Sequence, residues 1–202
     1  MNEANADVEQ EPMNPETTFV ELAKIADNYL RPIGLGQELV ETLFEEDWDW
    51  AFTVQLDALL ETAAREAIRN TLILKLPNGA TAKVSELGSL VDRMSYQGAV
   101  SLFSLLVDSG LSSDRKKFIS SVRQIRNQFA HDIRNRGRTL FEMIEDSNNS
   151  DNLLRSLGKI EQGANLVPFK ELLKENSDLF RMTMLEQAMS FLYWLHFNYT
   201  KE

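Results

Sequence analysis

The chain has no cysteine. Disulfides, thiol nucleophiles and thiolate metal sites are therefore outside its chemistry. Its two histidines, His131 and His196, are too few for a histidine-built metal centre, so no metal and no cofactor are expected. No apolar run approaches the roughly eighteen residues that a membrane span needs, and no membrane partner is expected. The first residues are acidic and polar, the opposite of a signal peptide, and a cytoplasmic location is expected. There is no Gly-rich phosphate loop, no Gly-x-Ser-x-Gly elbow, no internal repeat and no heptad run of coiled-coil length. Positive charge is scarce overall: 21 Lys and Arg stand against 31 Asp and Glu, a net charge of −10. That sign argues against nonspecific duplex binding by the whole surface.

What the sequence has is helical periodicity over most of its 202 residues, enough chain for one domain with a sizeable core. Residues 1–13 read as a disordered acidic tail, and residues 14–202 as a single helical-bundle domain. Asn14-Pro15-Glu16 is a helix start, with a run to about Leu30 before Pro32 and Gly34 break it. From Gln37 to about Ile73 the pattern is helical almost throughout, interrupted at Glu45-Glu46-Asp47. Phe52, Leu56, Leu59, Leu60, Ala63, Ala64, Ala67 and Ile68 form its long stripe. Trp48 and Trp50 read as core packing or a dimer surface in preference to a stacking site for a ligand. Between Leu72 and Val84 the apolar residues alternate about Pro77-Asn78-Gly79, which predicts a small β-hairpin or extended loop.

Ser85 is positioned to cap a helix through about Met94, and a second helical segment runs from Tyr96 to Val107. It stops at Asp108-Ser109-Gly110, after which Ser112 or Ser113 caps a further helix. Thr139 to Glu145 and Pro168 to Glu175 read as short helices, residues 152–165 are weakly patterned, and a last helix starts at Ser177 or Asp178. The sum is an all-α fold, a bundle of about six to eight helices with one small β element.

The most chemistry lies in Phe118-Ile-Ser-Ser-Val-Arg-Gln-Ile-Arg-Asn-Gln-Phe-Ala-His131. Ile119, Val122, Ile125 and Phe129 recur at three- and four-residue steps, one apolar stripe. Arg123, Asn127 and His131 recur at steps of four and share another face, with Arg126 beside them. From Arg115 to Arg138 there are eight basic residues and one acid, Asp132, a local charge of +7 against −17 for the remainder. A solvated helix face followed by a basic loop would give the same run, but here it stands against a strongly acidic background.

At Arg126-Asn-Gln-Phe-Ala-His131 the chain resembles the HEPN superfamily, small helical bundles marked by an Arg, a polar residue and a His after a short gap. Gly88-Ser-Leu90 and Leu-Val-Asp-Ser-Gly-Leu111 extend the likeness toward the mannitol operon repressor-like branch, over about residues 50–135. The resemblance implies a HEPN-like bundle and a homodimer. It also implies metal-independent cleavage of an RNA substrate at the dimer cleft, as in toxin–antitoxin or defence effectors. His131 would be the acid/base, Arg126 the phosphate ligand and Asn127 an orienting group. Arg123, Arg134, Arg136 and Arg138 would then track the RNA backbone. The same resemblance leaves open a regulatory protein, with an antitoxin or other protein partner or with nucleotide binding, acting without catalysis. His196, among Trp194, Phe197 and Tyr199, reads as a core or interface residue.

Overall fold

The computed structural model describes residues 24, 27–31, 36, 38–74, 81–96 and 101–199. The expected acidic tail, the start of the first predicted helix and the Pro77-Asn78-Gly79 turn lie outside the described residues. Among the described residues the protein is all-α, with no strand. Its bounded helices are α1 (Glu38–Phe44), α2 (Asp49–Leu74), α3 (Thr81–Arg93), α4 (Leu102–Asp108) and α5 (Ser113–His131). A 3-10 turn, Ile133–Gly137, leads to α6 (Leu140–Glu145), α7 (Ser150–Leu157), α8 (Val167–Glu175) and α9 (Ser177–Tyr199).

The 26-residue α2 is the hub, about 39 Å long at the helical rise. It packs against α5, α9, α3, α1 and α4. Every residue of its predicted stripe, from Phe52 to Ile68, is buried. Phe118, Ile119, Val122, Ile125 and Phe129 of α5 close on it, and Met182, Leu185, Met189, Leu192 and Leu195 do so from α9. Each such fully buried side chain contributes about 1.5–3 kcal/mol of transfer free energy, which is why these faces fix the bundle. Leu179 and Tyr193 of α9 are exposed.

Three expectations are corrected. The alternation read as a hairpin is helical where it is described, because Leu72 and Leu74 belong to α2 and residues 82 and 84 to α3. A run this short does not separate a period of 2 from one of 3.6, and adding residues to an existing helix is easier than nucleating a lone hairpin. Because α3 starts at Thr81, Ser85 lies inside that helix and does not cap it. The segment after Tyr96 starts its helix at Leu102, where Ser101 and Ser104 exchange side-chain and backbone bonds in a capping box. The unpatterned stretch contains most of α7, which buries Leu153, Leu154 and Leu157.

One buried ion pair ties the far ends of the chain together. Arg181 donates from Nε to Asp49 Oδ1 (2.7 Å) and from its other nitrogens to the carbonyls of Glu46 and Asp47. The second Asp49 oxygen accepts from the Leu140 backbone N–H at 2.6 Å, the start of α6. Both carboxylate oxygens are thus used, as burial of a charge requires.

Candidate active site

The site is carried by α5. Ser112 caps its start, accepting from the Arg115 backbone N–H, and Asp114 sits in the first turn where the helix dipole favours an acid. With its apolar stripe turned into the bundle, the helix presents Arg123, Asn127 and His131 along one edge. These three line an open cleft of about 520 Å³ together with Phe103, Ser120, Gln124 and Gln128. His131 is the last residue of α5 and is exposed. Its imidazole makes no hydrogen bond or ion pair among the described residues. The backbone beyond it is pinned: Asn135 Nδ2 donates to the Gln128 carbonyl at 2.7 Å, and Asp132 caps the 3-10 turn by accepting from the Arg134 N–H.

Arg126 does not line the cleft directly. Its Nη1 donates to Asn127 Oδ1 at 3.0 Å, and its Nε lies 3.6 Å from Asp57 Oδ2. The Arg126–Asn127 contact places the guanidinium at the cleft edge and leaves the Asn127 amide nitrogen available as a donor. Arg126 is more than a third exposed, at 37%.

Arg123 is held more firmly. Its Nη1 donates to Asp57 Oδ2 at 2.9 Å and to Glu61 Oε2 at 2.8 Å, and its guanidinium lies 4.9 Å above the Tyr96 ring. Arg65 continues the network, pairing with Glu61 and donating to the carbonyls of Val91, Asp92 and Met94 at the end of α3. Two atoms beneath it are buried without a hydrogen-bond partner among the described residues, Asp57 Oδ1 and the Tyr96 hydroxyl. Burial pushes the Asp57 carboxyl above its ordinary value, and the charges of Arg123 and Arg126 do not fully offset it. Burial would raise Glu61 as well, but hydrogen bonds from Arg65 and Arg123, with their charges, hold it below its ordinary value. Burial, and then the nearby Asp57 charge, drive the Tyr96 phenol upward.

The remaining basic residues are placed apart. Arg134 folds back on Asp132, whose carboxyl is lowered to about 2 by the Arg134 side-chain and backbone hydrogen bonds. The Arg136 guanidinium sits 4.8 Å above the Trp50 ring. Arg138 pairs with Asp146 and donates to the Glu142 carbonyl. The structure therefore brings Arg123, Arg126, Asn127 and His131 together and leaves Arg134, Arg136 and Arg138 on separate partners. Part of the +7 of the sequence segment is met in space by Asp57, Glu61 and Asp146, which lie outside it.

Sequence reasoning missed Asp57, Tyr96 and Phe103 as members of this site. One signal was legible: Asp57 is a carboxylate set among the apolar positions Phe52, Leu56, Leu59 and Leu60, and Glu61 is one turn on. Among the described residues there is no cluster of His, Asp and Glu able to hold a metal ion, and no helix long and apolar enough to cross a membrane. No family model matches the chain, and no curated protein or solved structure is significantly similar to it.

Proposed function

We propose that the chain is a HEPN-type, metal-independent endoribonuclease acting as a homodimer. The observation that carries this reading is one open cleft lined by His131 and Asn127, with the Arg126 guanidinium bonded to the Asn127 amide at its edge. Arg126 donates to the non-bridging oxygens of the scissile phosphate and stabilises the charge that grows on them. A neutral His131 imidazole takes the proton from the ribose 2′-hydroxyl as its oxygen attacks phosphorus. The P–O5′ bond breaks, and the leaving O5′ takes a proton from a second imidazole supplied by the other copy of the chain. The products are a 2′,3′-cyclic phosphate and a 5′-hydroxyl, with no oxidation or reduction. Asn127 orients Arg126, and Phe103 offers a ring against which a base can stack.

Cleavage of a mixed RNA panel in EDTA tests this. His131→Ala should lower the rate by about 10²–10⁴-fold, as for loss of a general acid–base. Arg126→Ala should lower it by about 10²–10³-fold, as for loss of one transition-state donor. Native cleavage that both variants retain would overturn the assignment.

A second reading, a mannitol-repressor-like regulator working through protein or nucleotide contacts without catalysis, is favoured by one observation. Arg123, Arg134 and Arg138 each already hold a carboxylate of their own chain, and Arg136 covers Trp50. A native chain that cuts no RNA but binds a protein partner through the His131 face would support it.

A further inference from the structure

The protein has a second and larger cleft, of about 950 Å³, between the first half of α5, α7, the loop after α7, and α9. Four cations line it: Arg115, Lys117, Arg155 and Lys159. Asp114 and Glu161 are its only acids. Lys117 stands 4.0 Å from Asp114, and both are largely exposed, a weak and screened pair. Arg155 spends its donors on the neutral carbonyls of Glu161 and Ala164, and Arg115 on the Ser190 hydroxyl at 3.1 Å. Arg115, Arg155 and Lys159 thus have no carboxylate partner among the described residues. Here cations outnumber acids four to two and three of them hold no carboxylate, whereas beside His131 both Arg123 and Arg126 meet Asp57.

Two further features concern the wall of the cleft and its continuity. Arg115 Nε and Ser156 Oγ are both buried without a hydrogen-bond partner among the described residues, and both belong to lining residues. Such groups carry a desolvation cost. The cleft also runs into the first one, because Ser120 and Gln124 line both. From Arg115 to His131 the helix covers about 24 Å, room for several nucleotides. Neutral amides and hydroxyls supply most of the remaining wall, and its one aromatic is the buried Phe118. That lining suits a sugar–phosphate backbone better than a free nucleotide, whose base would need a stacking face.

We infer that this second cleft is the path of the RNA strand leading to His131, with Arg115, Lys117, Arg155 and Lys159 as its phosphate contacts. The inference rests on the ribonuclease reading for the nature of the strand. It replaces Arg134, Arg136 and Arg138, which point to other partners, as the backbone-tracking set.

The test uses the full chain and a 2′-O-methyl RNA octamer, which binds but cannot be cut. Binding is followed by fluorescence anisotropy across a salt series. Lys117→Glu with Lys159→Glu reverses two charges, and Arg93→Glu with Lys174→Glu, two exposed positions outside the cleft on α3 and α8, is the charge-matched control. The double variant should bind about tenfold more weakly at 0.1 M salt, with a salt slope flatter by about 1.4, while the control stays native. A native chain that cuts RNA, with octamer affinity and salt slope unchanged in the double variant, would overturn the path and leave the ribonuclease standing. Octamer binding that the double variant weakens, in a native chain that never cuts, would uphold the path and overturn the ribonuclease. No binding and no cleavage would overturn both. Inorganic phosphate or a mononucleotide binding as tightly as the octamer, and lost in the same variant, would make the cleft a small-anion site and overturn the path.

Discussion

Asp49 and Asp57 lie about two turns apart on α2, both are buried, and both meet arginines from other helices. Their surroundings differ in one respect. At Asp49 every acceptor is used, one oxygen by Arg181 and the other by the Leu140 N–H. At Asp57 a single oxygen serves both Arg123 and Arg126, while Oδ1 has no partner among the described residues. The first pair closes on itself in the interior. The second holds two arginines at the edge of an open cleft, and its carboxyl is harder to ionise than usual. Similar chemistry on one helix therefore does two jobs: a satisfied pair locks the fold, and an under-satisfied one keeps donors poised at a surface.

The largest effect should come from breaking the satisfied pair. Arg181→Ala leaves Asp49 charged, buried and held by one backbone N–H. We expect a loss of about 3–5 kcal/mol in urea unfolding, the usual cost of stranding one member of a buried pair. A loss below 1 kcal/mol would mean that the two nodes do not differ as described.

Asp57→Asn should have a smaller effect, on the order of 1 kcal/mol at neutral pH, because it removes a desolvation penalty together with two attractive contacts. Its pH dependence is the sharper test. The folded Asp57 binds its proton more tightly than the unfolded chain does, chiefly because burial disfavours the carboxylate. The stability linked to that proton is complete below the ordinary Asp value and is lost as pH rises through the folded value. Native stability minus that of the D57N chain should therefore fall as pH rises from below the ordinary Asp value through the folded one. Glu61, lowered in the fold, contributes in the opposite sense in both chains, so to first order it drops out of the difference. A difference that rose with pH would show that the arginines dominate at Asp57 as well.

Much of the bundle was legible in the sequence, since the stripes of α2 and α5 are periodic over many turns and are buried as their spacing demands. At Leu72 and Leu74 the alternation misled, because so short a run cannot outvote a helix already passing through it. At the site, the row Arg123, Asn127 and His131 was readable from its steps of four. What could not be read was neutralisation across the fold. Asp57 and Glu61 stand more than sixty residues from Arg123, and no local charge count anticipates them. The cations of the second cleft were hidden in the same way, with Arg155 and Lys159 in the unpatterned stretch joined to Arg115 and Lys117 only by packing of α5 against α7.

In the proposed reaction a histidine and an arginine on α5 cut RNA through its own 2′-hydroxyl. The ends left on RNA fragments by the native chain in EDTA test it most directly. The account predicts a 2′,3′-cyclic phosphate and a 5′-hydroxyl, and no cut at a position bearing 2′-deoxyribose. Fragments with 5′-phosphate ends, or cleavage that EDTA abolishes, would contradict it.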